Sequence, residues 1–246
     1  MFIAASTRCF WDMPVFEACQ QISELHFDKV ELWLDKAATH FSLQKLISDP
    51  ERFAVEFREQ TRVAPVALCF EGDPEIVAFP LVCRASKTLR ITQITIPSAP
   101  LGTPFNIEID RLKELVRIGV AEGIRVSLKT EKGRLTEDPH TAVEFCQSVK
   151  GLGLTFDPSY FMAGNIDKIT DLIAPYTYHV HLRDSTAQDI QTQVGLGEVD
   201  YGKLIGALEA DKYDRALSVE LLPEKTIPEQ RGLEMRKLRM LLDTLL

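Results

Sequence analysis

The alternation of short apolar runs with longer amphipathic segments is the feature of this sequence that most constrains its fold. Eight of the runs have the length and the flanking residues of β-strands. They are FIAAS (2–6), KVELW (29–33), PVALCF (65–70), ITQITI (91–96), RVSLKT (125–130), GLTFD (153–157), YHVHL (178–182) and LSVEL (217–221). Eight strands that alternate with helical segments in 246 residues predict a single (β/α)8 barrel over residues 1–246, with a doubly wound open sheet as the alternative.

The segments between the strands carry helical periodicity and helix-boundary residues. Asp49 and Pro50 have the residue types of an N-cap and a first helical position, and Gly123 marks the end of another helix. The predicted helices are 15–25, 50–61, 109–123, 136–149, 166–173, 201–210 and 228–246. The connection 71–90 has no clear pattern. No GxGxxG motif follows the first strand, so a dinucleotide site is not expected.

The charge and hydropathy of the chain narrow the range of partners. The formal net charge of −8 disfavours general binding to a nucleic-acid backbone. The basic residues of the last predicted helix are expected to form a solvated face; they are Arg231, Arg236, Lys237 and Arg239. No stretch approaches the roughly 18 apolar residues of a membrane span, and the N-terminal run lacks the basic region of a signal peptide. We therefore expect neither a nucleic-acid nor a membrane partner.

The five cysteines are scattered, odd in number and without CxxC spacing. This distribution argues against a disulfide framework or a zinc knuckle. It is typical of a reducing compartment, so we expect a cytoplasmic protein.

Polar residues gather where the later strands are predicted to end. Asp157 ends strand six, strand seven carries His181, and strand eight ends in Glu220. In a (β/α)8 barrel the active site lies at these carboxyl ends. Adjacent strands are about 4.8 Å apart, so three inward side chains on consecutive strands would converge on one ion. Carboxylate and imidazole ligands together suit Mn²⁺, Fe²⁺, Co²⁺ or Zn²⁺.

The stretch VSLKTEKGRLTE, residues 126–137, places two opposite charges on one face of strand five. Strand parity puts Ser127, Lys129 and Glu131 on the same side. A lysine and a glutamate that point into the barrel two residues apart either take part in catalysis or neutralise each other's charge.

Several segments of the second half of the chain carry a family resemblance. They are GRLTEDPHTA (133–142), GLGLTFDPSYF (151–161), HVHLRDS (179–185), GLGEVDYGKL (195–204) and LSVELL (217–222). In order and spacing they resemble the xylose isomerase-like sugar phosphate isomerase/epimerase family of the apurinic endonuclease family 2 superfamily. The resemblance extends over residues 120–222, and ASTRCF and VELWLD are compatible with the first two strand ends of that family.

The resemblance implies a divalent metal (Mn, Zn, Mg or Co) held by Glu, Asp, His and Glu at the ends of strands five to eight. Asp157, His181 and Glu220 would fill three of these positions. The fourth is a departure, because Lys129 stands where relatives carry the metal-binding Glu. Glu131 stands where many relatives carry a His.

The fourth position has two interpretations. In the first, Glu131 supplies the missing carboxylate from two residues further along, roughly 6.6 Å at the rise of a strand. In the second, the Lys129 ammonium replaces the metal and neutralises Asp157, Glu220 and Glu131. We favour the second, since a lysine beside a divalent cation is repelled by it. The metal would then be absent, and activity would be lost or moved to lysine chemistry such as a Schiff base.

The resemblance also implies a function. It predicts a sugar isomerase or epimerase that acts on a small polyhydroxy carbonyl compound by proton transfer, with Glu220, Lys129 and Glu131 as acid–base groups. The expected substrate-binding residues are Glu31, Trp33, His40, Tyr160, His179 and Arg183. For Arg183 the alternative is an ion pair with Asp184 or Asp157.

Other functions compete with the isomerase. A catalytically inactive sugar-binding or interaction barrel is the first alternative, and a lyase or dehydratase of the same superfamily is a weaker one. An apurinic-site endonuclease fits poorly, because such enzymes need many more metal-binding histidines than the five of this chain. The negative net charge also does not suit DNA binding. We expect a monomer or a homodimer.

Overall fold

Eight parallel strands close into a barrel in the computed structural model, which describes all 246 residues. The strands are β1 (Phe2–Ser6), β2 (Lys29–Leu34), β3 (Ala64–Phe70), β4 (Gln93–Pro97), β5 (Arg125–Lys129), β6 (Leu152–Phe156), β7 (Thr177–Leu182) and β8 (Ala216–Val219). They follow one another around the barrel in chain order, and β1 pairs with β8 to close it. The predicted (β/α)8 barrel is confirmed, and the open sheet is wrong.

Helices connect the strands on the outside of the barrel. They are α1 (Val15–Glu24), α2 (Leu43–Ser48), α3 (Pro50–Gln60), α4 (Phe79–Thr88), α5 (Phe105–Ala121), α6 (Pro139–Ser148), α7 (Ile166–Ile173), α8 (Tyr201–Ala210) and α9 (Pro228–Asp243). The short α2 was not predicted, and α4 fills the connection that had no clear pattern. The start of α6 is set by Asp138, whose carboxylate accepts a hydrogen bond from the Thr141 amide, and by Pro139 at the first helical position.

The helices press closely against the outward faces of the strands. Val126 and Leu128 of β5 are buried there. A Cβ atom at Gly119 of α5 would come within 2.7 Å of Val126 Cγ2 and 3.0 Å of the Ile124 carbonyl oxygen. Glycine at this position therefore permits the close approach of α5 to β5.

A network of neutral polar side chains fills part of the barrel interior below the carboxyl-terminal rim. Gln93 Nε2 donates to Ser127 Oγ at 2.6 Å, and Ser127 Oγ lies 2.6 Å from Thr155 Oγ1. Thr155 Oγ1 in turn lies 2.8 Å from Thr95 Oγ1. We call Gln93, Thr95, Ser127 and Thr155 the neutral layer. Since Ser127 and Lys129 share a face of β5, the neutral layer lies directly beneath the predicted site.

One expectation about the surface is wrong. Arg231 of α9 is buried, forms an ion pair with Asp12, and stacks over the rings of Phe10 and Trp11 at 4.5 and 5.5 Å. It connects α9 to the segment after β1, because the guanidinium finds both a carboxylate and aromatic faces there.

Two further expectations can be compared with the structure. All five cysteines are free, as their spacing predicted, and all five are buried. None of the helices is both long enough and apolar enough to cross a membrane.

Candidate active site

The carboxylate of Glu220, which follows β8, is the centre of a buried ionic cluster at the carboxyl-terminal rim. Lys129 Nζ lies 3.1 and 3.3 Å from its two oxygens. Arg8 Nη1 donates to Oε1 at 3.0 Å, and Arg183 Nη2 donates to Oε2 at 2.5 Å. The Glu220 and Arg183 side chains are fully buried. A single carboxylate thus receives three permanently charged donors, which come from the ends of β1, β5 and β7.

Asp157, directly after β6, is the second carboxylate of this cluster. Its Oδ1 atom accepts hydrogen bonds from the Ser159 amide at 3.1 Å and from Ser159 Oγ at 2.6 Å. Its Oδ2 atom lies 2.7 Å from Arg183 Nη1. Arg183 also donates through Nε to the Glu220 carbonyl oxygen at 3.0 Å. The ion pair between Arg183 and Asp157, given above as an alternative, is therefore present, and it leaves no exposed part of Arg183 to hold a substrate.

Glu31 of β2 and the two histidines of β7 form a second buried group beside the first. His179 Nε2 lies 2.5 Å from Glu31 Oε2, and His181 Nε2 lies 3.0 Å from both Glu31 oxygens. His181 Nδ1 lies 3.2 Å from Glu220 Oε2. His181 therefore bridges the two groups with its two ring nitrogens. None of these side chains is more than 1% exposed, so Glu31 and His179, which were expected to bind substrate, are enclosed beneath the rim.

Two sets of donor atoms are close enough together to hold a cation. The ligand atoms of Asp157, His181 and Glu220 all lie within 4.8 Å of one another, and so do those of Glu31, His179 and His181. Candidate ligands for a divalent metal are therefore present. The three residues that the sequence placed at the ends of strands six to eight do converge, and their role as metal ligands stays a prediction.

The charges around Asp157 and Glu220 do not suit a divalent cation. Lys129 contacts both oxygens of Glu220, and Arg8 and Arg183 contact them as well. A metal bound to this carboxylate would displace those contacts and would lie beside three permanent positive charges. Because like charges repel strongly in a buried site, the residues as they stand fit an ammonium and two guanidinium groups better than a metal ion.

The structure separates Lys129 from Glu131. Lys129 is the last residue of β5 and is 5% exposed. Glu131 lies in the following turn, 3.6 Å from Arg134 Nε, and belongs to neither set of converging donors. The strand ends before Glu131, so strand parity no longer determines the direction of its side chain. Thr130 fixes this exit from the strand, because its hydroxyl accepts a hydrogen bond from the Asp157 amide at 2.9 Å.

Opposite charges in the cluster hold one another ionised. Burial by itself would raise the pKa of the Glu220 carboxyl, but the positive charges around it, His181 and Lys129 foremost, hold that pKa well below its usual value. Burial would likewise lower the pKa of the Lys129 ammonium, and Glu220 raises it above its usual value instead. The pKa of His181, lowered by burial but raised more by Glu220 and Glu31, is about 9. The cluster is therefore ionic at neutral pH.

Aromatic side chains surround the ionic cluster. The Arg8 guanidinium lies 5.6 Å from the centre of the Trp33 ring, and the Arg183 guanidinium lies 5.7 Å from that of Tyr160. Burial raises the pKa of the Tyr160 phenol, which keeps it protonated. Trp33 and Tyr160 therefore provide flat apolar surfaces next to charged groups.

His40 packs against Trp33, with 5.6 Å between the ring centres. Its Nδ1 lies 2.6 Å from the Met13 carbonyl oxygen, and since a carbonyl only accepts, Nδ1 carries the proton. Asp35 holds the loop before His40 by accepting hydrogen bonds from the Thr39 and His40 amides. Burial lowers the pKa of His40, so its ring is neutral.

Arg8 was not among the predicted site residues. The only signal in the sequence is its position two residues after β1, in a segment that resembles the family at a strand end. Cys9 holds this segment against β8: its Sγ lies 3.5 Å from the Val219 carbonyl oxygen and accepts a hydrogen bond from the Leu221 amide at 3.2 Å. Because Cys9 contacts the residues immediately before and after Glu220, the neighbouring Arg8 lies beside the Glu220 carboxylate.

Comparison with known proteins gives the family. A model described as a xylose isomerase-like TIM barrel matches residues 75–241, more than half of the chain. This agrees with the resemblance found in the sequence. No curated protein matches the chain.

Solved structures share the fold over nearly the whole chain. A D-tagatose 3-epimerase-like protein is 18% identical with a TM-score of 0.77, over 100% of this chain and 98% of the other. A xylose isomerase-like TIM barrel protein from Mycobacterium smegmatis, in complex with magnesium, is 15% identical with a TM-score of 0.77, over 98% and 97%. The probable 3-DHS dehydratase AsbF from Bacillus anthracis is 15% identical with a TM-score of 0.74, over 97% and 98%. At these identities the similarity establishes the fold alone.

Proposed function

The chain belongs to the xylose isomerase-like TIM barrel family, and from this premise we propose that it is a sugar isomerase- or epimerase-type enzyme. It acts on a small polyhydroxy carbonyl compound by proton transfer at the rim, with Lys129 in place of a carboxylate metal ligand. The observation that carries the proposal is the Lys129 ammonium, which lies within 3.3 Å of both oxygens of Glu220. We further propose a cytoplasmic enzyme without a nucleic-acid partner, in keeping with the net charge of −8.

Fixed cations supply the electrostatic stabilisation that this reaction needs. Removal of a proton next to a carbonyl converts the carbonyl oxygen into an enediolate oxyanion. Lys129 and Arg8 have side-chain atoms exposed at the rim, and their pKa values, lowered by burial but raised more by Glu220, lie above the usual values. Both stay charged throughout the reaction, and their positive charge stabilises the oxyanion in a site of low dielectric.

The raised pKa of Lys129 disfavours the lysine chemistry considered above. A Schiff base begins with attack by a neutral amine on a carbonyl. An ammonium that Glu220 holds in its charged form has no lone pair for that attack. Lys129 therefore acts as a fixed charge and a hydrogen-bond donor.

Two further groups fit the proton transfer. Glu220 is ionised and fully buried behind Lys129 and Arg8, and we propose it as the base, which a substrate reaches only by displacing one of these contacts. Its lowered pKa makes it a weak base, which makes stabilisation of the oxyanion by the neighbouring cations a requirement. Tyr160 is a protonated phenol beside the cluster and is the proposed proton donor.

Hydrogen exchange with solvent tests the function. The enzyme is incubated in D₂O with D-tagatose, L-ribulose, D-fructose and D-psicose, and NMR follows the loss of the proton next to the carbonyl. We expect exchange with at least one ketose, no inhibition by EDTA, and a loss of about 10²–10³-fold in Lys129→Met. Ser127→Ala, which alters the same face of β5 below the rim, is the matched control and should retain exchange. Inhibition by EDTA, or full activity of Lys129→Met, would contradict the proposal.

One observation favours a second function, a barrel that binds sugars without catalysis. Glu220 accepts from Lys129, Arg8 and Arg183, which leaves it a poor base. In that case ketoses would bind to the protein, as NMR line broadening would detect, and no proton would exchange in any of them.

A further inference from the structure

The rim of the barrel has more positive charge and more donors than its carboxylates use. The cations of the cluster are Arg8, Lys129, Arg183 and His181, and the carboxylates that they contact are Asp157, Glu220 and Glu31. One positive charge therefore remains without a partner. In a chain whose net charge is −8, this local excess marks a place for an anion.

The unused donors belong to Arg8 and Lys129, the two cations of the cluster that are exposed at the rim. The side chains of Arg8 and Lys129 are 15% and 6% exposed, whereas that of Arg183 is fully buried. Arg8 donates a side-chain hydrogen bond through Nη1 alone, and its buried Nε has no partner. Lys129 bonds only to the two Glu220 oxygens, and an ammonium has three N–H donors.

The free edge of Arg8 has the shape of a carboxylate site. Nε and Nη2 of a guanidinium present two parallel N–H groups, which match the two oxygens of a carboxylate. The centre of the Trp33 ring lies 5.6 Å from the Cζ atom of this guanidinium. A phosphate dianion would exceed the single unpaired positive charge, whereas a carboxylate balances it.

We propose that the substrate is a keto-sugar acid, whose carboxylate, next to the reacting carbonyl, binds the free edge of Arg8 and the remaining donor of Lys129. The proposal rests on the function proposed above and names the substrate class of the same site. The same cations then hold the carboxylate before proton removal and the adjacent oxyanion after it. Trp33 lies against the apolar C–H face of the sugar chain.

Three matched probes test the substrate class. D-Fructose, 2-keto-D-gluconate and D-fructose 1-phosphate share the ketone at carbon 2 and the configuration of carbons 3 to 5, and they differ at carbon 1, which is a hydroxymethyl group, a carboxylate or a phosphorylated hydroxymethyl group. Isothermal titration at low salt measures the affinity of the whole protein for each. We expect 2-keto-D-gluconate to bind at least about tenfold more tightly than D-fructose, with an affinity that falls as salt is added. Equal or tighter binding of D-fructose or of D-fructose 1-phosphate would overturn the proposal.

Variants identify the groups that select the carboxylate. Arg8→Gln should abolish the preference for 2-keto-D-gluconate over D-fructose. Arg8→Lys keeps the charge but not the two parallel N–H groups, and it should retain part of the preference. Arg62→Gln removes an equal charge from an exposed site before β3 and should leave the preference unchanged. Circular dichroism spectra establish that each variant is folded. A full preference in folded Arg8→Gln would show that Arg8 is not the carboxylate site.

The same probes separate a failure of this inference from a failure of the proposed function. If 2-keto-D-gluconate binds with the expected preference but no proton exchanges in D₂O, either in it or in any of the ketoses, the carboxylate site inferred here stands and the isomerase proposal fails. If D-fructose exchanges and 2-keto-D-gluconate does not bind, the isomerase proposal stands and this inference fails.

Discussion

The neutral layer and the ionic cluster occupy the same barrel interior but solve the burial of polar groups in different ways. Ser127 and Lys129 are two residues apart on one face of β5. Ser127 belongs to a chain of hydroxyl and amide groups that hydrogen bonds of 2.6–2.8 Å connect, and only the amide oxygen Oε1 of Gln93 has no partner in it. Lys129 joins a cluster in which each charge depends on charges from other strands. The first arrangement contains no ionisable group and is independent of pH, whereas the second depends on all of its members being present and ionised.

This difference indicates which region carries function. The neutral layer is buried below the rim and contains no ionisable group that could contact a substrate. The ionic cluster holds Glu220 and Lys129 ionised, includes donors without partners, and lies at the barrel end where members of this fold class place their active sites. Substitutions in the two regions should therefore change the free energy of unfolding by very different amounts.

Removal of the central carboxylate should have the largest effect. Glu220→Gln leaves Lys129, Arg8 and Arg183 without their common anion, and an uncompensated buried charge costs about 3–5 kcal/mol. We expect a loss of that size in the free energy of unfolding, measured by urea denaturation. A loss below about 1 kcal/mol, within the range of exposed ion pairs, would show that the cluster is solvated.

The pH dependence of stability should follow the ionic cluster. The pKa of His181 in the folded protein is about 9, above its usual 6.5, so its contribution is complete below pH 6.5 and is lost as pH rises through 9. Burial would raise the pKa of Glu31, but His181 and His179 lower it below its usual 4.5, so its contribution is lost on acidification below that value. We expect maximal stability between about pH 4.5 and 6.5 and a decline on the order of 2–3 kcal/mol towards pH 9.

Urea denaturation over a pH series measures this decline. His181→Gln, which keeps a hydrogen-bonding side chain but cannot titrate, should flatten the alkaline part of the curve. If that part is unchanged in the variant, another group is responsible for it.

Metal-binding measurements test the effect of Lys129, which stands where proteins of the family carry a metal-binding Glu. The unaltered protein should bind Mn²⁺ weakly, because Lys129 and the two arginines already neutralise the carboxylates. Lys129→Glu removes one cation and adds a carboxylate, so we expect its affinity for Mn²⁺ to rise by at least about a hundredfold, or 2.7 kcal/mol. Isothermal titration measures both proteins, with Lys132→Glu, at an exposed position in the adjacent turn, as the control for charge. Tight stoichiometric binding by the unaltered protein would favour a metal-dependent enzyme instead.

A change in the neutral layer should have the smallest effect. Ser127→Ala removes the partner of Gln93 Nε2 and one partner of Thr155, which costs about 1–2 kcal/mol in the free energy of unfolding. The cost should be the same at pH 6 and pH 9. A pH-dependent cost would mean that the two regions are coupled, contrary to the comparison above.

The sequence predicted much of the candidate site because strand ends are visible in it. Asp157, His181 and Glu220 could be placed at one end of consecutive strands, and their ligand atoms do converge. Glu131 could not be placed correctly, since the parity rule assumed that β5 continues to residue 130 and the strand ends at Lys129.

The sequence by itself determined the order of strands and helices, the barrel, and the position of Lys129 at a strand end. These follow from hydrophobic periodicity, which is a local property of the chain. Only the tertiary structure decided that Arg8 and Lys129, 212 and 91 residues from Glu220, would meet on its carboxylate, and that Arg183 would be buried between two acids. Closure of the barrel brings these charges together, and the cost of burying each one requires a partner that no local pattern specifies.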